Sequence, residues 1–393
     1  MDKKVPFLKV SGLKTENIDP LKKSMNYIKK IESNNVYYKF MALDTNQIKL
    51  LNNLLLDQKK VDKKLYSAGP YWDYKTKKIL YWLKKKGLEN FRGLDSGVGT
   101  GFTDNTIKDI RYEVGFKGRL VSCLTYLPFL KKIFDEQIRI TSSHIQTLIK
   151  FQQAYYENNE KVNYLISKYK INNSTNFGCT SKFKFKKKEY SILYLDMCER
   201  IDNINKFLNL SEIKSFLEIG GGFGSNIHLL INNFKNIKKI IYVDIVPNLF
   251  IGTEYLRSLF NNAVKDYNSI RNENEIEFEK NDHLEIICIP PWKINNIVSK
   301  VDSFHNSASF QEMTEINSAS FQEMTEIQVQ NYKNLIKKIL NKNSISLIVY
   351  KGWEKNNSLS PNIINNIFEN KLTEREFTVL DQREIKLVYL TYS

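Results

Sequence analysis

The chain has 393 residues, 42% of them hydrophobic and 12% aromatic, which is enough apolar material for a sizeable core and excludes wholesale disorder. No run at its start has the character of a signal segment, and no stretch approaches the ~18 uncharged residues of a membrane span. A cytoplasmic chain of two domains, or one large elaborated domain, is therefore expected. The net charge of +16 admits nucleic acid, an anionic surface or a phosphorylated substrate as partner, but the lysines are scattered among many asparagines and isoleucines. Runs such as Lys84–Lys86 and Lys182–Lys188 read as solvated faces ahead of a nucleic-acid footprint.

Up to about residue 170 the pattern is mainly helical. Ile48–Leu65, Thr76–Leu88 and Leu127–Tyr155 carry apolar residues at mixed three- and four-residue spacing. Between the second and third lies a loop rich in Gly, Asp and Thr, in which Asp95–Gly101 reads DSGVGTG. That spacing could mark a phosphate or cofactor turn, yet Glu89–Leu94 before it is no buried strand and no acid-ended strand follows. The expectation is a loop, Gly97–Asp104, closing over a site elsewhere. Cysteines at 123, 179, 198 and 288 form no CxxC pair and have no zinc-ligand spacing, so reduced thiols and no metal site are expected. The polar stretch Lys170–Thr180 joins two domains: residues 1–170 (a lid, a recognition element or a dimerisation surface) and residues 171–393.

From about residue 190 a helix, Ile192–Leu208, leads into strands alternating with helices. The predicted strands are Ser215–Ile219, Lys239–Asp244, Leu284–Ile289, Lys300–Phe304, Ser344–Lys351, Glu376–Leu380 and Ile385–Thr391. This alternation predicts an α/β, Rossmann-like, mostly parallel sheet of seven strands covered on both faces, the last two forming an antiparallel hairpin. Within it, Phe216–Asn226 reads FLEIGGGFGSN. An apolar strand carrying Glu218 runs into Gly220, Gly222 and Gly224, and a helix follows at once. Glycines let the chain turn tightly and a ligand approach the backbone, and the helix start offers N–H donors. A dinucleotide fingerprint would need glycine or alanine at Ser225. Twenty residues after Gly224, a second strand ends in Asp244, an acid able to accept from both hydroxyls of a ribose.

The E-x-G-x-G-x-G spacing resembles motif I of class I S-adenosylmethionine-dependent methyltransferases. Asn306–Met313 (NSASFQEM), just after the fourth strand, is similar to the sugar O-methyltransferases of bacterial surface-polysaccharide clusters. The resemblance is best over Thr175–Gly352. It implies S-adenosylmethionine held by Glu218, Gly220, Gly222, Gly224 and Asp244, and a small, nucleotide-activated sugar as acceptor. In this fold the end of the fourth strand faces the transferred methyl group, which makes His305 and Glu312 candidates for taking the hydroxyl proton, Asp302 their orienting acid and Asn306 an acceptor contact. A homo-oligomer remains open. One departure from the pattern is plain: Asn306–Ile316 is repeated without change as Asn317–Ile327. Eleven residues make about three helical turns, so the insert nearly preserves helical phase. The first copy, joined to the strand, is expected to be the working one, the alternative being a damaged enzyme that still binds cofactor. A second alternative comes from Ile289–Trp292 (IPPW), near the motif of amino-methyltransferases that act on nucleic-acid bases. However, Ile289 lacks the side-chain oxygen that would hold an amine, and the segment follows the third strand.

Overall fold

The computed structural model describes residues 42–66, ten positions between 72 and 91, and residues 159–170, 183–185, 188–190, 192–307, 325–351, 359–377 and 386–392. All belong to one compact unit, Phe40–Ser393. The predicted helix Leu127–Tyr155, the loop Gly97–Asp104 and two of the cysteines lie outside the described residues.

The predicted helix Ile48–Leu65 is two helices, α1 (Thr45–Gln58) and α2 (Lys63–Tyr66). Asp44 and Gln47 start α1 with a reciprocal capping box, and the Asp62 carboxylate restarts the chain by accepting the Lys64 N–H at 2.8 Å. Leu50, Leu51 and Leu54 bury one face of α1. Its polar edge is tied down as well: Asp57 receives Nε and Nη2 of Arg271 at 2.6 and 3.0 Å and the Tyr267 hydroxyl at 2.9 Å. α3 (Glu160–Lys168) packs on α4 (Ile192–Asn205), and the enclosed Asp202 of α4 accepts from Lys168 and Tyr169, both at 2.8 Å.

Part of the basic run read as a solvated face forms a strand pair. β1 (Phe183–Phe185) and β2 (Lys188–Tyr190) are antiparallel, as the Lys/Phe alternation of period two permits. The main sheet has the order β5-β6-β4-β3-β7-β8-β10-β9. Its strands are β3 (Ser215–Ile219), β4 (Lys239–Val243), β5 (Val264–Lys265), β6 (Glu285–Ile289), β7 (Val301–Ser307), β8 (Leu340–Lys351), β9 (Leu372–Phe377) and β10 (Lys386–Tyr392). β5 to β8 and β3 to β4 are mutually parallel, whereas β10 runs against both β8 and β9. The central strands are rich in Ile, Leu and Val, and every residue of β3, β4 and β6 except Lys239 is buried, as a sheet covered on both faces demands.

Four details differ from the seven-strand expectation. β7 runs three residues past the predicted Phe304, to Ser307, which takes His305 and Asn306 into the strand. The two-residue β5 adds an eighth strand at the edge. β8 begins four residues early, at Leu340, pairing directly with Val301. β9 also begins four residues early, because Glu369 and Asn370 adopt positive φ and turn the chain back straight after α9 (Pro361–Ile367). The remaining helices are α5 (Ser225–Asn233), α6 (Val246–Phe260), α7 (Tyr267–Ile270) and α8 (Glu326–Ile339). No helix among the described residues is long and apolar enough to cross a membrane.

Candidate cofactor and acceptor site

The glycine turn follows β3 at the carboxyl edge of the sheet, where β3 lies between β4 and β7. Gly220, Gly222 and Gly224 have φ of 75°, 63° and 86°, a region in which side chains are strained. The turn is fastened to β4 at each end of one peptide neighbourhood. Gly220 N–H continues the ladder to the Val243 carbonyl at 2.8 Å, and Gly222 N–H donates to Asp244 Oδ2 at 2.7 Å. The Tyr242 hydroxyl donates to the Gly222 carbonyl. Tyr242 belongs to β4 and Asp244 is the first residue past its end; one holds the carbonyl of Gly222 and the other its N–H. Asp244 Oδ1 accepts the Ile245 N–H at 2.7 Å, which sets the carboxylate at the edge of the turn.

Close approach at two glycines makes this packing possible. A Cβ at Gly252 of α6 would overlap the Tyr242 hydroxyl, and one at Gly224 of the turn would lie 2.9 Å from Leu256. Phe223, at the tip of the turn, is buried edge-to-face between Tyr255 and Phe91, with ring centroids 4.9 and 5.7 Å away. Beneath the turn, Glu218 is fully enclosed. Burial pushes its carboxyl up to about 7, partly opposed by Asn226 Nδ2, which donates to Oε1 at 2.8 Å. Tyr242, Asn226 and Gly252 were not singled out in the sequence. Tyr242 was within reach, since it precedes Asp244 by the strand period of two.

On the β7 side, the sequence candidates are not brought together. Asp302 stands at the start of β7, where its Oδ2 accepts the N–H groups of Lys214 and Ser215 at 2.9 and 3.1 Å. Burial alone would raise this carboxyl, but those donors hold it below its ordinary value. The expectation that Asp302 orients His305 is overturned by geometry. Three strand residues set the two about 10 Å apart along the strand, and each side chain is engaged with other partners. Asp302 instead fastens the starts of β3 and β7, at the far edge from the glycine turn.

His305 is inside the sheet, 2% exposed, in register with Glu218 on one side and Ser346 on the other. Its Nδ1 pairs with Ser346 Oγ at 2.7 Å and its ring leans on Phe216. Burial, and then the nearby Arg200 charge, push the imidazole down to about 3. It is a neutral, enclosed group, so direct proton transfer from an acceptor is not available to it in this arrangement. Asn306, expected to touch the acceptor, is also buried and donates Nδ2 to the Ile219 carbonyl at 2.8 Å, bracing the last residue before the glycine turn. Glu312 lies outside the described residues.

Past these groups, Ser307 ends β7 and accepts Arg200 Nη1 at 2.7 Å, so a half-buried guanidinium from α4 stands beside the strand exit. From the second copy of the repeat, Thr325 caps α8 in a capping box with Gln328, which fixes where this helix starts. Ile289–Trp292 ends β6: Pro290 is extended, a short 3₁₀ turn begins at Pro291, and Trp292 packs edge-to-face on Tyr267 at 6.3 Å. Among the described residues no group of three or more His, Cys, Asp or Glu is placed to hold a metal.

No protein-family model and no curated protein matches the chain. Among solved structures it is similar to the pyocyanin biosynthetic protein PhzM (10% identity, TM-score 0.32, covering 51% of this chain and 57% of that one). It is also similar to the methyltransferase domain of bacterial CtHen1-CN (10%, 0.33, covering 49% and 97%) and to mitomycin 7-O-methyltransferase MmcR (10%, 0.32, covering 51% and 55%). Likeness of this degree carries no activity over to this chain.

Proposed function

We propose that the chain is an S-adenosylmethionine-dependent O-methyltransferase of the cytoplasm, acting on the hydroxyl of a nucleotide-activated sugar used for capsule or another surface polysaccharide. The observation that carries this reading is the doubly fastened glycine turn with Asp244 at its edge, between β3 and β4 at the carboxyl edge of the sheet. The residues fit the cofactor. Three glycines keep the turn free of side chains, α5 begins at Gly224 with no side-chain cap, and Asp244 places a carboxylate, the acceptor type that ribose hydroxyls take, at the edge of the turn.

When bound, S-adenosylmethionine supplies an electrophilic methyl group. The protein's tasks are alignment and removal of the acceptor proton. With His305 enclosed and Asp302 at the opposite edge, Glu312 of the first repeat copy is the base in this reading, five residues past Ser307 at the end of β7. Arg200 beside Ser307 gives the acceptor side a guanidinium suited to a phosphate. The helical first half would serve as lid, recognition element or dimerisation surface.

The test offers a labelled methyl donor together with a panel of nucleotide sugars and, separately, oligonucleotides. Transfer to a sugar supports the reading, and transfer to the oligonucleotide alone refutes it. Glu312→Gln is expected to lower turnover by about 10²–10⁴-fold, and Glu323→Gln in the second copy to leave it within a few-fold. The opposite result would move the base to the second copy. Should the protein bind cofactor without turnover, deletion of 317–327 shows whether the repeat has disabled it.

A further inference from the structure

The two oxygens of the enclosed Glu218 carboxyl are treated differently. Oε1 accepts from Asn226, whereas Oε2 has no hydrogen-bond partner among the described residues. The other end of the same amide, Asn226 Oδ1, is likewise buried and without a partner. Two acceptors are thus left over on two groups already joined by one hydrogen bond, and two acceptors cannot satisfy one another. Buried polar groups are nearly always paired, so this remainder calls for a donor. A carboxylic acid and a primary amide have matching edges: the amide N–H meets the acid carbonyl, and the acid O–H meets the amide carbonyl.

We infer that Glu218 keeps a proton in the folded protein at neutral pH and donates it to Asn226 Oδ1, closing an acid–amide ring beneath the glycine turn. Glu218 and Asn226 are then positioning residues. The ring pins the second residue of α5 to the end of β3, and Gly221 leaves room for it, since a Cβ there would lie 2.5 Å from Oε2. The inference stands on this packing alone and does not depend on which ligand the turn receives.

The surroundings favour the neutral acid. In register with Glu218 along one face of the sheet stand Cys288 on β6, Tyr242 on β4, His305 on β7 and Ser346 on β8. Burial pushes the Tyr242 phenol well up, the Cys288 thiol up to about 12 and the His305 imidazole down to about 3, so this row carries no charge near neutrality. From α5, His228 is engaged with the Tyr255 hydroxyl at 2.8 Å, and from α4 the cation Arg200 is directed to Ser307. Among the described residues no cation is hydrogen-bonded to Glu218, and burial raises its carboxyl, as the ring requires.

Infrared difference spectra between about pH 6 and about pH 9 test this directly. Wild type should lose a protonated-carboxyl band on alkalinisation that Glu218→Gln does not show; Glu254, also raised, is common to both and cancels. Glutamine keeps the acceptor and puts an N–H where the proton sits, so the variant should fold and bypass the pH dependence. A carboxyl raised on folding stabilises below its unfolded value, and that stability is lost as pH rises through about 7. The wild-type unfolding midpoint should accordingly fall as pH rises from 4.5 through about 7 and level off above, with a shallower fall in Glu218→Gln. Identical slopes, or no band difference, would overturn the inference. If Glu218→Gln does not fold, the band in Asn226→Ala decides: it should shift from its wild-type position, and an unmoved band overturns the ring.

Discussion

The two flanks of β3 are built from different materials. Toward β4, the glycine turn is held by backbone geometry: positive φ at three glycines, a ladder bond to Val243, and the N–H and carbonyl of Gly222 taken by Asp244 and Tyr242. Toward β7, polar side chains are spent inside the sheet. Asp302 holds strand starts, His305 pairs with Ser346, and Asn306 braces Ile219. The first flank leaves a turn of backbone at the sheet edge, while the second consumes its polar residues in fastening the strands that position that edge. A chemically capable residue at a strand end is thus not thereby a reacting one; its face and burial decide.

This contrast can be broken from the β4 side. Gly252→Ala drives a methyl group into the Tyr242 hydroxyl, and overpacking of this kind costs about 1–3 kcal/mol. Denaturant unfolding should show that loss, and S-adenosylhomocysteine affinity should fall at least about tenfold as Gly222 shifts. Adding Tyr242→Phe should recover part of the stability, since the clash is with the hydroxyl; full additivity of the two losses would count against the fastening.

The β7 side is sharpened by pH. An imidazole pushed down to about 3 on folding contributes stability that is fully present above its ordinary value near 6.5 and lost as pH falls toward 3. By about pH 5 the loss from His305 amounts to about 2 kcal/mol. His305→Gln should flatten that part of the stability profile while leaving the pH dependence of turnover in place. A turnover profile that loses its acidic limb in the variant would restore His305 as the proton acceptor.

The smallest effect belongs to α1. Asp57 is held down to about 2, chiefly by its hydrogen bond from Arg271, but both partners are partly exposed and solvent discounts the pair. Asp57→Asn should cost under about 1 kcal/mol at neutral pH, speed amide exchange in 45–58 and leave ligand affinity unchanged. The wild-type advantage is present above the ordinary carboxylate value and fades as pH falls toward 2.

Much of the β4 flank was legible because its signals are backbone signals. Ser215–Ile219 and Lys239–Val243 follow from short, largely apolar runs, and the glycine spacing announces the turn. Other features were hidden for physical reasons. The start of β9 depends on left-handed Glu369 and Asn370, a conformation that Asn tolerates but does not advertise. The Asp62 restart of α2 depends on one cap within a continuous helical pattern. The roles of Asp302 and His305 turn on register, because one residue of offset exchanges the faces of a strand, and register is set by partners far along the chain.

The most direct measurement is calorimetric titration with S-adenosylhomocysteine of the wild type and of Asp244→Ala. The account predicts wild-type binding that the variant weakens by about 10²-fold or more, since it removes a charged acceptor and leaves the Gly222 N–H unsatisfied. Equal binding by both proteins, or none by the wild type and none by a form lacking 317–327, would contradict it.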